Sequence, residues 1–431
     1  VKTTETTALV IDNGLFLPLA LELGPAFKRV LYQTTHERAF PLINDCVIGD
    51  GFEDWNVERC DDFWEQIDEI GLFIFPDIGQ SGLQQYLESI GKKVWGSRRG
   101  DDLELKRMLL KKTQQEFGLS VPEHKSIKGL DALRSFLKET KNVFVKVSRF
   151  RGTSETFHHL DYDHSLPLLD NLAVSLGPLQ NEFPFLIEWP IQSELELGFD
   201  GYCIDGRFPS IALQGWEKKD KGLIASVQTY DELPRQVTEV NNALASVLKD
   251  YSYRNFLSTE IRVKDDEGTM IDITCRAGLP SIESQIELWS NLPEIILGGA
   301  QGMMINPEPS AKFAVECMVN HKDDKSRWRI LEVPEEAKDS IKPYSACFHD
   351  GLYCFPPFPH SSDTVASIVA SGDTLESAID SLKEKAELLS DQPVTVCIDS
   401  IYDMLKTIHE AEEEGIEFSS QEIPEPETAL E

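Results

Sequence analysis

A chain of 431 residues, 41% of them apolar, has the length for about two to four domains and the material to bury a core in each. Its formal charge of −33 argues against nonspecific binding to nucleic acid or to an anionic membrane, but leaves room for a nucleotide-sized ligand in a local positive pocket. No apolar run reaches the roughly 18 residues that span a bilayer, and the start, VKTTETTALVIDNG, lacks a signal peptide's long apolar segment.

The eight cysteines (46, 60, 203, 275, 317, 347, 354 and 397) form no Cys-x-x-Cys pair, and the nine histidines show no zinc spacing. Reduced thiols in a cytoplasmic protein are expected. Residues 8–12 (ALVID) read as a buried strand. Pro18–Leu23, Arg29–Gln33, a helix near Asp61–Ile70, a strand at Gly71–Phe75, a helix over Leu83–Ile90 and a strand at Lys93–Trp95 follow. This alternation predicts a doubly wound parallel sheet. No Gly-x-Gly-x-x-Gly is present, so no dinucleotide site is expected. Pro76-Asp77-Ile78-Gly79-Gln80-Ser81-Gly82 lies after a strand and before a helix, where ligands dock in open α/β sheets. The plain alternative is a Pro/Gly turn.

Residues 101–118 read as one helix, capped by Asp101 or Asp102 and ended by Gly118, before a break at Pro122. Residues 142–148 (NVFVKVS) form a strand in which Lys146 must find a partner or a route to water; a phosphate would serve. Ser148 to Ser154 then offers donors from Arg149, Arg151, Thr153 and Ser154. A buried strand ends at Glu188, crosses Trp189-Pro190-Ile191, and continues as a strand holding Glu196 and Asp200. Trp216, Glu217 and the lysines at 218, 219 and 221 make a polar loop, and 235–250 a helix.

The stretch Leu257–Gln285 reads as a hairpin, with strands at 257–265 and 269–275. A three-residue loop, Asp266-Glu267-Gly268, with Gly268 left-handed, would set Glu260 opposite Thr274 and Arg262 opposite Asp272. Glu260 and Asp272 are then diagonal neighbours, close enough to hold one hard cation. The competing reading is a solvated face with ordinary ion pairs. A helix is expected at Glu287–Leu297. After residue 305 come strands at 312–320, 327–332 and 364–370, a helix from Asp373, and an acidic tail expected to be disordered.

In order, these motifs resemble the ATP-grasp superfamily, and within it the glycinamide ribonucleotide synthetase type, over roughly residues 8–400. Asp272-Ile273-Thr274-Cys275-Arg276 stands where that family has Glu-x-Asn-x-Arg. The resemblance implies an ATP-grasp fold with a preceding doubly wound α/β domain (1–97), an ATP-grasp domain (98–305, with a lid over about 119–189), an α+β C-terminal domain (306–415) and a tail (416–431). It implies ATP and Mg²⁺ as cofactors. Lys106 and Lys146 would meet the phosphates, and Glu188, Pro190 C=O and Ile191 N–H the adenine hinge. Glu196 would hold the ribose, with Glu194 as a rival. Glu260, Asp272 and Thr274 would hold the metal, Arg276 with Lys146 would act in catalysis, and Asp77, Gly79 and Ser81 would touch substrate. The implied activity is an ATP-dependent carboxylate–amine ligase using an acyl phosphate, with small-molecule partners and as monomer or homodimer. The alternative is a degenerate scaffold that binds nucleotide or a protein partner, motivated by the altered metal motif and a Gly-poor flap.

Overall fold

The computed structural model describes residues 2–36, 46–148, 156–192, 195–357, 362–419, 421 and 423–426. The expected parallel sheet is present at the N-terminal end. β1 (Thr7–Asp12), β2 (Arg29–Thr34), β3 (Val57–Arg59), β4 (Ile70–Ile74) and β5 (Lys93–Trp95) run in the order β3-β2-β1-β4-β5. Ala8, Leu9 and Val10 are all fully buried, as a strand covered on both faces requires. Helices α1 (Leu17–Leu23) and α2 (Ser81–Ser89) flank it. The helix expected near Asp61–Ile70 shrinks to a 3₁₀ turn at Phe63–Gln66, started by the Asp62 carboxylate accepting from Trp64 N–H at 2.9 Å. Phe63 is the one side chain it buries, too small an apolar face to sustain a longer helix.

The helix expected over 101–118 is two: α3 (Asp101–Leu105) and α4 (Arg107–Glu116). Lys106, at φ −110° and ψ 79°, breaks the run. Gly118 follows α4 at φ +72°, as expected of a terminating glycine.

Next comes an antiparallel sheet over the span expected as the lid, called the lid sheet below. β6 (His124–Lys128), β7 (Val143–Val147), β8 (Thr156–His159) and β9 (Pro184–Glu188) run in the order β6-β9-β7-β8. With α5 (Leu130–Glu139) and α6 (Tyr162–Leu176) it encloses its own core around Leu133, Val145, Leu169 and Ile187, separate from the main one.

The large sheet follows, from β10 (Glu196–Ile204), β11 (Ile211–Lys218), β12 (Gly222–Thr229), β13 (Arg254–Lys264) and β14 (Glu267–Thr274), with α7 (Arg235–Asp250) against it. The β13–β14 hairpin corrects the expected register. Its turn is the two residues Asp265-Asp266, at φ 51° and 64°, and Gly268 lies within β14 paired with Val263. Two successive positive φ values suit the right-handed twist of a tight hairpin, and aspartate tolerates them better than most side chains. An irregularity between Glu260 and Ile261 then sets Glu260 directly opposite Asp272, and Ser258 opposite Thr274.

The helix expected at Glu287–Leu297 is α8 (Ile282–Leu288) and α9 (Leu292–Ala300), interrupted because Pro293 opens the second helix and cannot donate to a continuous one. The large sheet runs on past residue 305. β15 (Phe313–His321) pairs with β12. Then come β16 (Arg329–Leu331), β17 (Ile341–Pro343), β18 (Cys347–His349), β19 (Leu352–Phe355), β20 (Thr364–Gly372), α10 (Leu375–Glu387), β21 (Val394–Val396) and α11 (Ser400–Glu413). The order is β14-β13-β10-β11-β12-β15-β20-β17, with β21 on β15 and β16-β19-β18 forming a separate small sheet. Thr374, not Asp373, caps α10. Part of the expected disordered tail packs instead. Phe418 is fully buried against Trp216 and Phe313, and Ile423 is nearly so. The cysteines are unpaired. Among the described residues, no helix is long and apolar enough to cross a membrane.

Candidate active site

The lid sheet and the large sheet meet at a knot of charges. Lys146, on β7, is 6% exposed. Its Nζ donates to Ile271 C=O at 2.8 Å and pairs with Glu188 at 3.1 Å and Asp272 at 3.4 Å. Glu188, at the end of β9, also takes Lys111 from α4 at 2.7 Å. Arg107, one turn earlier on α4, reaches Asp272 at 2.5 Å. Residues four apart on a helix share a face, so Arg107 and Lys111 enter the site together.

Lys106 does not join them. Its amine pairs with Asp102 at 2.8 Å on a half-exposed surface. The break at Lys106, expected at the phosphates, re-phases the helix and turns its neighbours inward. Sequence reasoning missed Arg107 and Lys111 for that reason. The signal was there as two cations at i, i+4, but it depends on where the helix starts.

Burial would raise Asp272, yet Arg107 and Lys146 hold its carboxyl well below the usual range. Glu260, facing it, goes the other way. Burial, then Asp272 and Glu196, push it up to about 8, against Lys146 and Lys219. Burial lowers the Lys111 amine despite Glu188. For Lys146 the burial penalty is outweighed by Asp272 and Glu188, and the amine is raised. Thr274 lies two residues beyond Asp272 on the same strand face, half-buried. Glu196 pairs with Arg262 at 2.6 Å.

At the other end, Arg276 leaves β14 toward the parallel sheet. Its Nε donates to Glu104 at 3.0 Å and lies 3.9 Å from Asp77. Pro76 C=O accepts from Ala277 N–H at 2.8 Å, fastening the two segments together. Gly79 N–H donates to Asp101 at 2.8 Å, and Ser81 opens α2. Burial pushes both Asp12, at the end of β1, and Asp101 up to about 6.

Pro190 and Ile191, expected at the adenine hinge, line a cleft of about 1010 Å³ with Gln192 and the turn Lys264-Asp265-Asp266. Lys146, Glu188 and Asp272 are not among its walls; the knot is closed by its own ion pairs. Arg149, Arg151, Thr153, Ser154 and Glu194 lie outside the described residues.

Solved structures share this fold. The chain superposes on phosphoribosylamine–glycine ligase from Thermotoga maritima with a TM-score of 0.66 at 16% identity, over 91% of this chain and 97% of that one. It superposes on L-amino acid ligase from Bacillus licheniformis with 0.59 at 15%, over 91% and 98%. For the biotin carboxylase domain of 2-oxoglutarate carboxylase from Hydrogenobacter thermophilus, in complex with MgADP and bicarbonate, the score is 0.63 at 12%, over 96% and 99%. This chain has the ATP-grasp fold. No protein-family model and no curated protein matches the sequence.

Within this ATP-grasp fold each part of the knot has its own source. The lid supplies Lys146 and Glu188, the broken helix Arg107 and Lys111, and the hairpin Glu260 and Asp272. The parallel sheet and Arg276 close the far end.

Proposed function

We propose that this chain is an ATP-dependent carboxylate–amine ligase that works through an acyl phosphate. The observation that carries the reading is the 3.4 Å approach of Lys146 on the lid to Asp272 on the large sheet, inside a ring formed by Lys111, Arg107, Glu188 and Glu260. Phosphoryl transfer asks a protein chiefly for positioned charge, and three converging cations meet that need. In the free chain Glu188 and Asp272 neutralise those cations. A triphosphate would take over Arg107, Lys111 and Lys146 and release Asp272 toward Glu260.

The donor set fits Mg²⁺: two facing carboxylates, with the hydroxyl of Thr274 nearby. Among the described residues no group of three His, Cys, Asp or Glu side chains forms a cage, so phosphate oxygens would complete the shell. Bound there, the ion would neutralise charge on the β- and γ-phosphates. Pro190 C=O and Ile191 N–H would meet adenine, and Glu196, released from Arg262, the ribose. Arg276 would orient the carboxylate that attacks the γ-phosphorus, beside Asp77, Gly79 and Ser81 as substrate contacts. The amine then displaces phosphate from the acyl phosphate. The ligases among the fold neighbours support the class, with an amino acid as the carboxylate substrate. The partners are small molecules and the protein acts in the cytoplasm.

The test is ADP release with ATP, Mg²⁺ and a panel of amino acids and amines. Turnover should depend on substrate and fall about 100-fold or more in Asp272→Ala. Equal turnover in that variant overturns the metal assignment.

A second reading has one observation in its favour: every cation of the knot already holds a carboxylate of the chain itself. A scaffold that binds nucleotide without turning it over would look the same. Calorimetry separates the two, because the scaffold binds ATP with an affinity that Mg²⁺ does not change.

A further inference from the structure

One face of the large sheet, far from the knot in sequence, is covered by α8. Glu316 on β15 pairs with Val369, and Met318 with Ser367 on β20, so Glu316 and Ser367 are diagonal neighbours. Ser367 pairs with Lys342 on β17, and Tyr344 lies two residues further on the same face. Over them α8 lays Glu283, with Ser281 just before its first turn. Glu283, Glu316 and Ser367 are wholly inaccessible.

Six oxygen atoms here are buried and make no well-formed hydrogen bond: both of Glu283, one of Glu316, and the hydroxyls of Ser281, Ser367 and Tyr344. The Tyr344 hydroxyl faces Glu283 and that of Ser367 faces Glu316, while the Ser281 hydroxyl faces Asp200. The second oxygen of Glu316 accepts from Ser284 at 3.2 Å. The nearby cation, Lys342, turns away to Glu287 at 3.5 Å and to Asp339 C=O at 2.8 Å. Native interiors satisfy such groups with protein, water or an ion. Two like charges with Lys342 as a distant counter-charge, itself held by Glu287, favour the ion. Burial, together with Glu316, pushes Glu283 well above the usual carboxyl range, against the opposing pull of Tyr344 and Lys342.

We propose that Glu283, Glu316, Ser367 and Tyr344 form a binding site for a hard divalent cation of the calcium or magnesium type, apart from the nucleotide cleft. Oxygen donors without nitrogen or sulfur select hard cations over zinc or copper. The two carboxylates balance its charge. The ion ties α8, which follows the catalytic hairpin, to the sheet strands beyond residue 313.

The experiment is calorimetric titration of EDTA-treated protein with Ca²⁺ and with Mg²⁺, without nucleotide, alongside elemental analysis of the protein as purified. One equivalent should bind, raise the thermal midpoint, and persist in Asp272→Asn. Glu283→Gln should weaken binding at least tenfold and abolish the thermal shift. If that variant does not fold, Ser367→Ala, which removes one neutral ligand, should still weaken binding measurably. Absence of Ca²⁺ and Mg²⁺ binding at millimolar concentration overturns the proposal, and would mean that the two glutamates share a proton. Equal affinity in the substituted and unsubstituted chains overturns it too.

Discussion

In the charge knot, Lys111 and Glu188 are almost inaccessible and stand 2.7 Å apart. Beneath α8, Glu283 and Glu316 are just as inaccessible and carry the same sign. Burial acts alike in both places, yet the outcome differs. Asp272 is held below the ordinary range because Arg107 and Lys146 face it. Burial pushes Glu316 up to about 7, and Ser367, Ser284 and the distant Lys342 bring it back only in part. Depth therefore does not decide whether a carboxylate stays charged; its neighbours do. The knot is neutralised from within and can exchange its own acids for phosphates. The pair beneath α8 has to recruit something from outside.

The largest effect expected is on stability. Lys111→Met leaves the buried Glu188 with one partner fewer and should cost about 3–5 kcal/mol, read from denaturant unfolding. Adding Glu188→Leu should restore most of the loss. A double variant as unstable as the single one would break the contrast, because the pair would then not be the source of the cost.

Asp272 and Glu316 should next fail at opposite ends of the pH scale. Asp272, depressed in the fold, contributes stability above the ordinary carboxyl range, and this is lost as pH falls below it. Glu316 is raised from about 4.5 to about 7. Its contribution is full below the lower value and is lost as pH rises through the upper one. Unfolding midpoints of cation-free protein from pH 4 to 9 should decline on the alkaline side. Glu283→Gln or added Ca²⁺ should flatten that limb. A decline that neither treatment alters would place its origin elsewhere.

Nucleotide affinity sharpens the account of the knot. Arg107→Ala should weaken ATP binding by about tenfold or more, the scale of a lost charge-assisted contact. The smallest effect belongs to Lys106→Ala. Its exposed pair with Asp102 is worth at most about 0.5 kcal/mol, and ATP affinity should stay within about twofold. A larger effect at Lys106 than at Arg107, by calorimetry, would return Lys106 to the site.

Much of the fold was legible because it rests on local patterns. The apolar run ALVID, the alternation in NVFVKVS and the helical spacing after residue 374 each match an observed element. The helices over 101–118 and 287–297 misread because propensity and spacing do not locate a break such as Lys106 or the stretch before Pro293. In the candidate site, Lys146, Glu188, Glu260 and Asp272 come together, while Arg107 and Lys111 were missed. Their identity as cations was plain, but the direction they face was not.

The order of the motifs, the alternation that builds each sheet and the residue types able to hold phosphate and metal were set by the sequence alone, since each depends on neighbours within a few residues. Tertiary structure decided which cation faces which carboxylate. It replaced a glycine loop with the Asp265-Asp266 turn, and so set Glu260 squarely against Asp272. It also put Glu283 over Glu316, 33 positions along the chain, which no local pattern announces. The physical reason is one of range: hydrogen-bonded periodicity is a short-range property, whereas the energy of a buried charge is fixed by whatever the folded chain brings beside it.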